Sequence, residues 1–297
     1  MSKNKKTVFE GAAVAIITPF TNDKLDYDQL GKIIDFQIEN GSDAIVVCGT
    51  TGEASTLTDE EHVEAIAYTV ERTAKRVPVI AGAGSNDTRY AIWLSREARR
   101  AGADALLQVT PYYNKATPKG LIKHFTAIAD ATDIPNILYN VPSRTGCNIT
   151  LPVYKELAKH PNIVATKEAS GNLESVARII EECGDDLDVY SGNDDQIEAI
   201  LSLGGKGVIS VLSNVMPRET HDMCQLYFDG KVKECAEEQA KLLELINNLF
   251  IEVNPIPVKT AMALMGYCNG EMRLPLCEME DNNLATLKAS MKKYGLI

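Results

Sequence analysis

Short apolar runs alternate with longer segments whose apolar residues recur every three or four positions, and this repeats eight times over roughly the first 220 residues. The first run, 12–18, ends at Pro19. Residues 26–40 then place Leu30, Ile33, Ile34 and Ile38 on a helical period that stops at Gly41, a residue suited to a left-handed cap. Further strands are predicted over 44–48, 77–81, 105–109, 136–140, 162–167, 187–191 and 207–211, each largely apolar and bounded by turn-forming residues. Helical periods separate them at about 58–75, 86–101, 117–131, 151–160, 173–183, 194–203 and 217–228. Thr58 and Glu61 have capping-box spacing, and Pro118 falls where a first turn tolerates proline.

Eight strand–helix units predict an α/β fold, a (β/α)8 TIM barrel over residues 1–229. A doubly wound sheet would normally carry a GxGxxG turn after its first strand, and Thr18-Pro19-Phe20 offers none. From residue 230 the strands stop. Helices at 231–251, 258–265 and 281–294 predict a C-terminal helical domain over 230–297, packed on the barrel or on a neighbouring subunit.

Composition removes several classes of function. The 297 residues are 45 % hydrophobic and 24 % charged, as in a globular chain, and no apolar run reaches the ~18–20 residues of a membrane span. Residues 1–7 are basic but lead directly into a strand, which argues for a short frayed arm and against a signal peptide. Seven cysteines without CxxC spacing and four scattered histidines argue against a disulfide framework or zinc site, and fit a reducing cytoplasm. A net charge of −11 argues against nucleic acid as a partner. It also means that an acidic substrate needs positive charge concentrated locally.

Lys167 closes an apolar run bounded by Pro161 and Gly171, and burial disfavours the charged form of an amine. One reading is a lysine that ends its strand and reaches water along its stem. The other is an amine kept neutral to attack a carbonyl. In a barrel of this type, active-site groups gather at the carboxyl ends of the strands. Those ends bring Thr50, Tyr139 and Lys167 to one mouth, where a tyrosine hydroxyl aligned by a threonine is able to move protons at an imine. Singly, each feature has a plainer explanation: Gly49–Gly52 as a tight turn, Tyr112 and Tyr113 as a packing pair, Asp194 and Asp195 as a helix cap, Arg144 as a surface charge. Their agreement at one end of the barrel favours chemistry. Gly204-Gly205-Lys206-Gly207 looks like a phosphate cradle, but it precedes the eighth strand and so lies at the opposite end.

Gly49-Thr-Thr-Gly-Glu53, Tyr139-Asn-Val-Pro-Ser-Arg-Thr-Gly146, Lys167-Glu-Ala-Ser-Gly171 and Gly207-Val-Ile-Ser210 resemble, in order and spacing, the class I pyruvate-dependent aldolase/lyase superfamily. More narrowly they resemble its dihydrodipicolinate synthase family, over essentially the whole chain. The resemblance implies that Lys167 forms an imine with pyruvate, that Tyr139 shuttles protons with Thr50 aligning it, and that Tyr113 reaches into a neighbouring subunit's site, making the chain a homo-oligomer. Thr51 and the main chain at Ile209 are implied to hold and line the pyruvate pocket, and Arg144 to bind the carboxylate of L-aspartate 4-semialdehyde. No cofactor or metal is implied, since the imine is the electron sink. Arginine at position 144 separates this family from N-acetylneuraminate and 2-keto-3-deoxy sugar-acid aldolases of the same superfamily, whose polyhydroxylated substrates have less use for it. A non-catalytic barrel that binds keto acids is the rival of another class. Ser55, His62, Asn86 and Tyr112 match the family's lysine feedback site. Asp59 and Tyr90 fall where lysine-sensitive members carry histidine and glutamate, so lysine inhibition is expected to be weak or absent.

Overall fold

The computed structural model describes residues 5–184 and 186–297. Of the arm expected over 1–7, residues 1–4 lie outside the described residues. Lys5 is fastened, its Nζ donating to the carbonyls of Ala158 and, at 2.8 Å, Ile163.

β1 (Gly11–Ala15) leads through a hairpin of β2 (Phe20–Thr21) and β3 (Lys24–Leu25) into α1 (Tyr27–Glu39). There follow β4 (Ala44–Val47), α2 (Asp59–Thr73), β5 (Val79–Gly82), α3 (Thr88–Ala101), β6 (Ala105–Val109) and α4 (Pro118–Ala129). β7 (Asn136–Asn140) runs into a one-turn helix, α5 (Pro142–Thr145), before α6 (Leu151–Leu157) and β8 (Ile163–Glu168). The last units are α7 (Leu173–Cys183), β9 (Asp188–Ser191), α8 (Ile197–Ser202), β10 (Gly207–Ser210) and α9 (Pro217–Phe228). α10 (Val232–Asn248), α11 (Ile256–Leu264) and α12 (Asp281–Lys293) complete the chain.

The sequence pattern missed the β2–β3 hairpin, whose turn is Asn22-Asp23 with φ of +53° and +60°. Both values suit a two-residue turn of the primed type, which asparagine and aspartate tolerate. Nor did it show that Pro142, just past β7, begins α5 at a position where its missing N–H costs nothing.

All strands except the hairpin pair close into a parallel barrel in the order β1-β10-β9-β8-β7-β6-β5-β4, a (β/α)8 TIM barrel. Both faces of its strands are covered, by the interior on one side and helices on the other, which is why they read as continuous apolar runs. The interior packs Ala13, Ala44, Ala105 and Ala165 against Ile80, Ile137 and Ile209. Its lower end is plugged by Phe9 stacked on Tyr190 at 4.2 Å, with the Tyr190 hydroxyl donating to Phe9 O at 2.7 Å. Gly207 starts β10 at that same end, where a Cβ would lie 1.9 Å from the Gly11 carbonyl. The glycine-rich stretch therefore serves close strand packing, and Lys206 pairs with Glu10 at 2.9 Å.

The C-terminal helices share one apolar cluster with the barrel: Leu242, Leu245, Val258 and Met262 pack with Ile197, Leu201 and Met223. Among the described residues, no helix is long and apolar enough to cross a membrane.

Two helices on the outer layer meet through His124 of α4, 7 % exposed, whose Nδ1 pairs with Thr88 Oγ1 at 2.8 Å. Burial lowers the imidazole pKa from 6.5 to about 4. The unfolded chain therefore binds the proton more readily than the folded one, and the stability contributed by neutral His124 is complete above pH 6.5 and lost as pH falls toward 4. Between pH 7 and 4.5 this group is expected to remove about 2–3 kcal/mol. Urea titrations of wild type and His124→Gln at both pH values check this: the variant should lose distinctly less on acidification.

Candidate active site

Parallel pairing of β7, β8 and β9 sets Tyr139 beside Lys167, and Lys167 beside Tyr190. Lys167 ends its run pointing inward. It is 6 % exposed, with Nζ 4.5 Å from the centroid of the Tyr139 ring. Gly192, just after β9, makes the space: a Cβ there would come within 2.6 Å of Ala169 Cβ and 3.1 Å of Lys167 Cε. Glu168 points the other way, toward the helices, and is 1 % exposed. It accepts from Asn140 Nδ2 at 3.0 Å, the Tyr154 hydroxyl at 2.9 Å and Ser170 N at 2.8 Å. Three donors on the neighbouring residue lock the strand end, and so fix which way Lys167 faces.

Above the amine lies a cavity of about 200 Å³, lined by Thr50, Thr51, Tyr139, Arg144, Lys167 and Asn254 among others. The turn carrying the two threonines is bracketed by non-glycine residues at positive φ, Cys48 at +54° and Glu53 at +53°. Thr18 Oγ1 fastens it from below, donating to Gly52 O at 2.7 Å. From the other side come residues of the C-terminal segment. Lys259 Nζ lies 2.5 Å from Glu53 Oε1, both side chains fully buried, and rests 4.1 Å from the centroid of the Phe20 ring. Arg273 adds its backbone N–H to the other oxygen of Glu53 at 3.3 Å and grips Glu61 through both terminal nitrogens at 2.6 Å. Burial pushes the Lys259 ammonium down from its usual range, and Glu53 opposes it.

Asp194 is a buried carboxyl that feels the charge of Lys167. Its Oδ2 accepts from Val211 N and Leu212 N, both at 2.9 Å, so it ties the mouth beyond β9 to that beyond β10 instead of capping a helix. Burial pushes this carboxyl above its ordinary value, against its donors and the nearby Lys167 charge.

Of the residues singled out in the sequence, Lys167, Tyr139, Thr50, Thr51 and Arg144 surround this one cavity. Ile209 does not line it. Its side chain is fully buried one layer down in the barrel interior, paired with Ala13, and Val211, two residues further on, lines the cavity one layer higher. Tyr113 stands away from the cavity of its own chain, 93 % exposed at φ +68°. A second cavity, about 560 Å³, shares Thr50, Tyr139 and Arg144 with the first and is also lined by Ser55, His62 and Tyr112. Asn86 is not in its lining but donates to Tyr112 O at 3.2 Å. Asp59 and Tyr90 satisfy each other, the tyrosine hydroxyl donating to Asp59 Oδ1 at 2.7 Å. Gly192, Asn254 and Lys259 had no local sequence signal, since their partners are set by the closed fold.

Over residues 8–294 the chain matches the model of the dihydrodipicolinate synthetase family. It is 57 % identical over 290 residues to the 4-hydroxy-tetrahydrodipicolinate synthase of Clostridium perfringens (strain SM101 / Type A), covering 98 % of this chain and 100 % of that one. It is 58 % identical over 292 residues to the enzyme of the same name from Lachnoclostridium phytofermentans, covering 98 % and 99 %. The crystal structure of dihydrodipicolinate synthase from Aquifex aeolicus superposes with a TM-score of 0.96 at 46 % identity, covering 97 % of this chain and 99 % of that one.

The buried pair beneath the threonine turn yields a test. Lys259→Met leaves Glu53 buried without its cation, and is expected to cost about 3–5 kcal/mol in urea unfolding, with Glu53→Gln in the same chain restoring part of it. A single variant within ~1 kcal/mol of wild type would contradict this account of the turn.

Proposed function

The chain belongs to the dihydrodipicolinate synthetase family, and from that premise we propose that it is the Schiff-base lyase that condenses pyruvate with L-aspartate 4-semialdehyde to 4-hydroxy-tetrahydrodipicolinate, in cytoplasmic lysine (diaminopimelate) biosynthesis. One observation carries the reading: a lysine 6 % exposed, its Nζ 4.5 Å from a tyrosine ring, in a cavity rimmed by threonine hydroxyls and one guanidinium. The relatives' names point to the same product.

The amine of Lys167 adds to the ketone of pyruvate and water leaves, giving the imine. The iminium makes the methyl group acidic. Its proton departs with Tyr139 as the shuttle, and Thr50 orients the tyrosine hydroxyl. The enamine carbon forms its bond to the aldehyde carbon, whose oxygen takes up a proton. The substrate's own amine then attacks the imine carbon, closing the ring and releasing Lys167. The Thr51 hydroxyl and N–H hold the pyruvate carboxylate. Arg144, exposed at the rim with one nitrogen on Asn254 O at 3.0 Å, keeps donors free for the carboxylate of the second substrate. A guanidinium recognises a carboxylate through paired donors, which answers the need for local positive charge in a chain of net charge −11. Tyr113, held out from its own chain, suits a role in a neighbouring subunit of a dimer or of a dimer of dimers.

The mutual Asp59–Tyr90 bond also bears on regulation. A tyrosine hydroxyl already spent on Asp59 offers no carboxylate to the ammonium of a bound lysine, a contact worth ~1.5–3 kcal/mol where it exists.

Borohydride reduction with pyruvate is expected to add covalent mass at Lys167, and Lys167→Ala to abolish it; an unlabelled wild type refutes the reading. Arg144→Ala should lower kcat/KM for the semialdehyde about 10–100-fold while leaving pyruvate trapping intact. An unaffected variant would favour a different aldehyde partner. Lysine titration of the coupled assay should show no sub-millimolar inhibition.

A further inference from the structure

Asn254 lies between α10 and α11, 6 % exposed, and borders the cavity that holds Lys167. Its Nδ2 donates to Thr51 Oγ1 at 3.0 Å, and its main-chain carbonyl accepts from Arg144 Nη2 at 3.0 Å. A single residue of the C-terminal segment thus touches both side chains assigned to carboxylate recognition. The polarity of the first bond matters more than its existence. A hydroxyl has one proton to give and two lone pairs to receive with. With the amide N–H seated on the oxygen, the Thr51 proton is left for another acceptor, and among the described residues none takes it.

We propose that Asn254 is a positioning residue that commits the Thr51 hydroxyl to donate its proton to the carboxylate of the keto acid, and links that donor to Arg144 across the cavity. The inference rests on the Schiff-base reading of the site. It makes the carboxamide, not merely a residue of that size, the requirement at position 254. A carboxylate of the same shape would take the Thr51 proton for itself and set a negative charge beside the one to be bound.

Asn254→Asp and Asn254→Ala, alone and with Thr51→Val, distinguish these roles through the pyruvate dependence of both borohydride trapping and turnover. Asn254→Asp should raise half-saturation by pyruvate about 10–100-fold, the scale of one charged hydrogen bond reversed, and Asn254→Ala should raise it less, about 3–10-fold. In the Thr51→Val background, Asn254→Ala should add less than ~2-fold, because the proton it directs is gone. A purely structural role would lower melting and turnover alike for both variants and leave pyruvate half-saturation unmoved. Asn254→Asp binding pyruvate as wild type does overturns the inference. Should the Asn254 variants not fold, Thr51→Ser is expected to stay within ~3-fold of wild type and Thr51→Val to lose about 10-fold; equal binding by the two also overturns it. Wild type that gains no mass from pyruvate and borohydride sinks the Schiff-base reading itself, whereas trapping in wild type with undiminished trapping in Asn254→Asp sinks this inference alone.

Discussion

Among the described residues two lysines are buried, and the difference between their surroundings is the constraint on which the site depends. Lys259 is fully buried and has a carboxylate at 2.5 Å. Lys167 is nearly as deeply buried, but among the described residues no carboxylate stands within salt-bridge distance of its Nζ, which faces an aromatic ring instead. A buried charge needs a close partner, and of the two amines only that of Lys259 has a carboxylate within salt-bridge distance among the described residues. Lys259 is thereby tied to Glu53, whereas the Lys167 amine faces the cavity without such a tie.

The barrel makes that distinction possible by sending adjacent residues of β8 in opposite directions. Lys167 goes to the interior, while Glu168, the nearest carboxylate in sequence, turns to the helix layer. There Asn140, Tyr154 and Ser170 donate to it. A one-residue slip in strand register would exchange the two and place the carboxylate in the cavity. The donors around Glu168 therefore keep Lys167 in the cavity by securing the register, although none of them borders that cavity.

Most of the barrel was readable from the chain because parallel strands buried on both faces leave continuous apolar runs, and the intervening helices keep a period of three to four. Lys167 stood out because charge at the end of such a run is locally conspicuous. Lys259 did not, since it lies within an apolar helix, α11, and its partner is 206 residues away in sequence. Gly192 reads as an ordinary turn glycine until Ala169 and the Lys167 stem are seen to fill the volume its missing side chain leaves. Ile209 was read on the correct strand, but the height at which the cavity opens, where Val211 lines it, is set by the turn after β4 and by the C-terminal segment together.

That turn also explains why the chain continues past its eighth strand–helix unit. Thr50 and Thr51 lie between two non-glycine residues in left-handed backbone, Cys48 and Glu53, a conformation costing roughly 1–2 kcal/mol at each such residue. Strained backbone persists only where the surroundings over-determine it. The barrel supplies one restraint, from Thr18 to the Gly52 carbonyl. The others come from beyond residue 249: Asn254 on Thr51, Lys259 on Glu53, and the Arg273 backbone on the second Glu53 oxygen. A barrel alone would present the lysine and the tyrosine. Holding two hydroxyls at a fixed height above them takes the C-terminal segment, which makes it a part of the site and not an attachment to it.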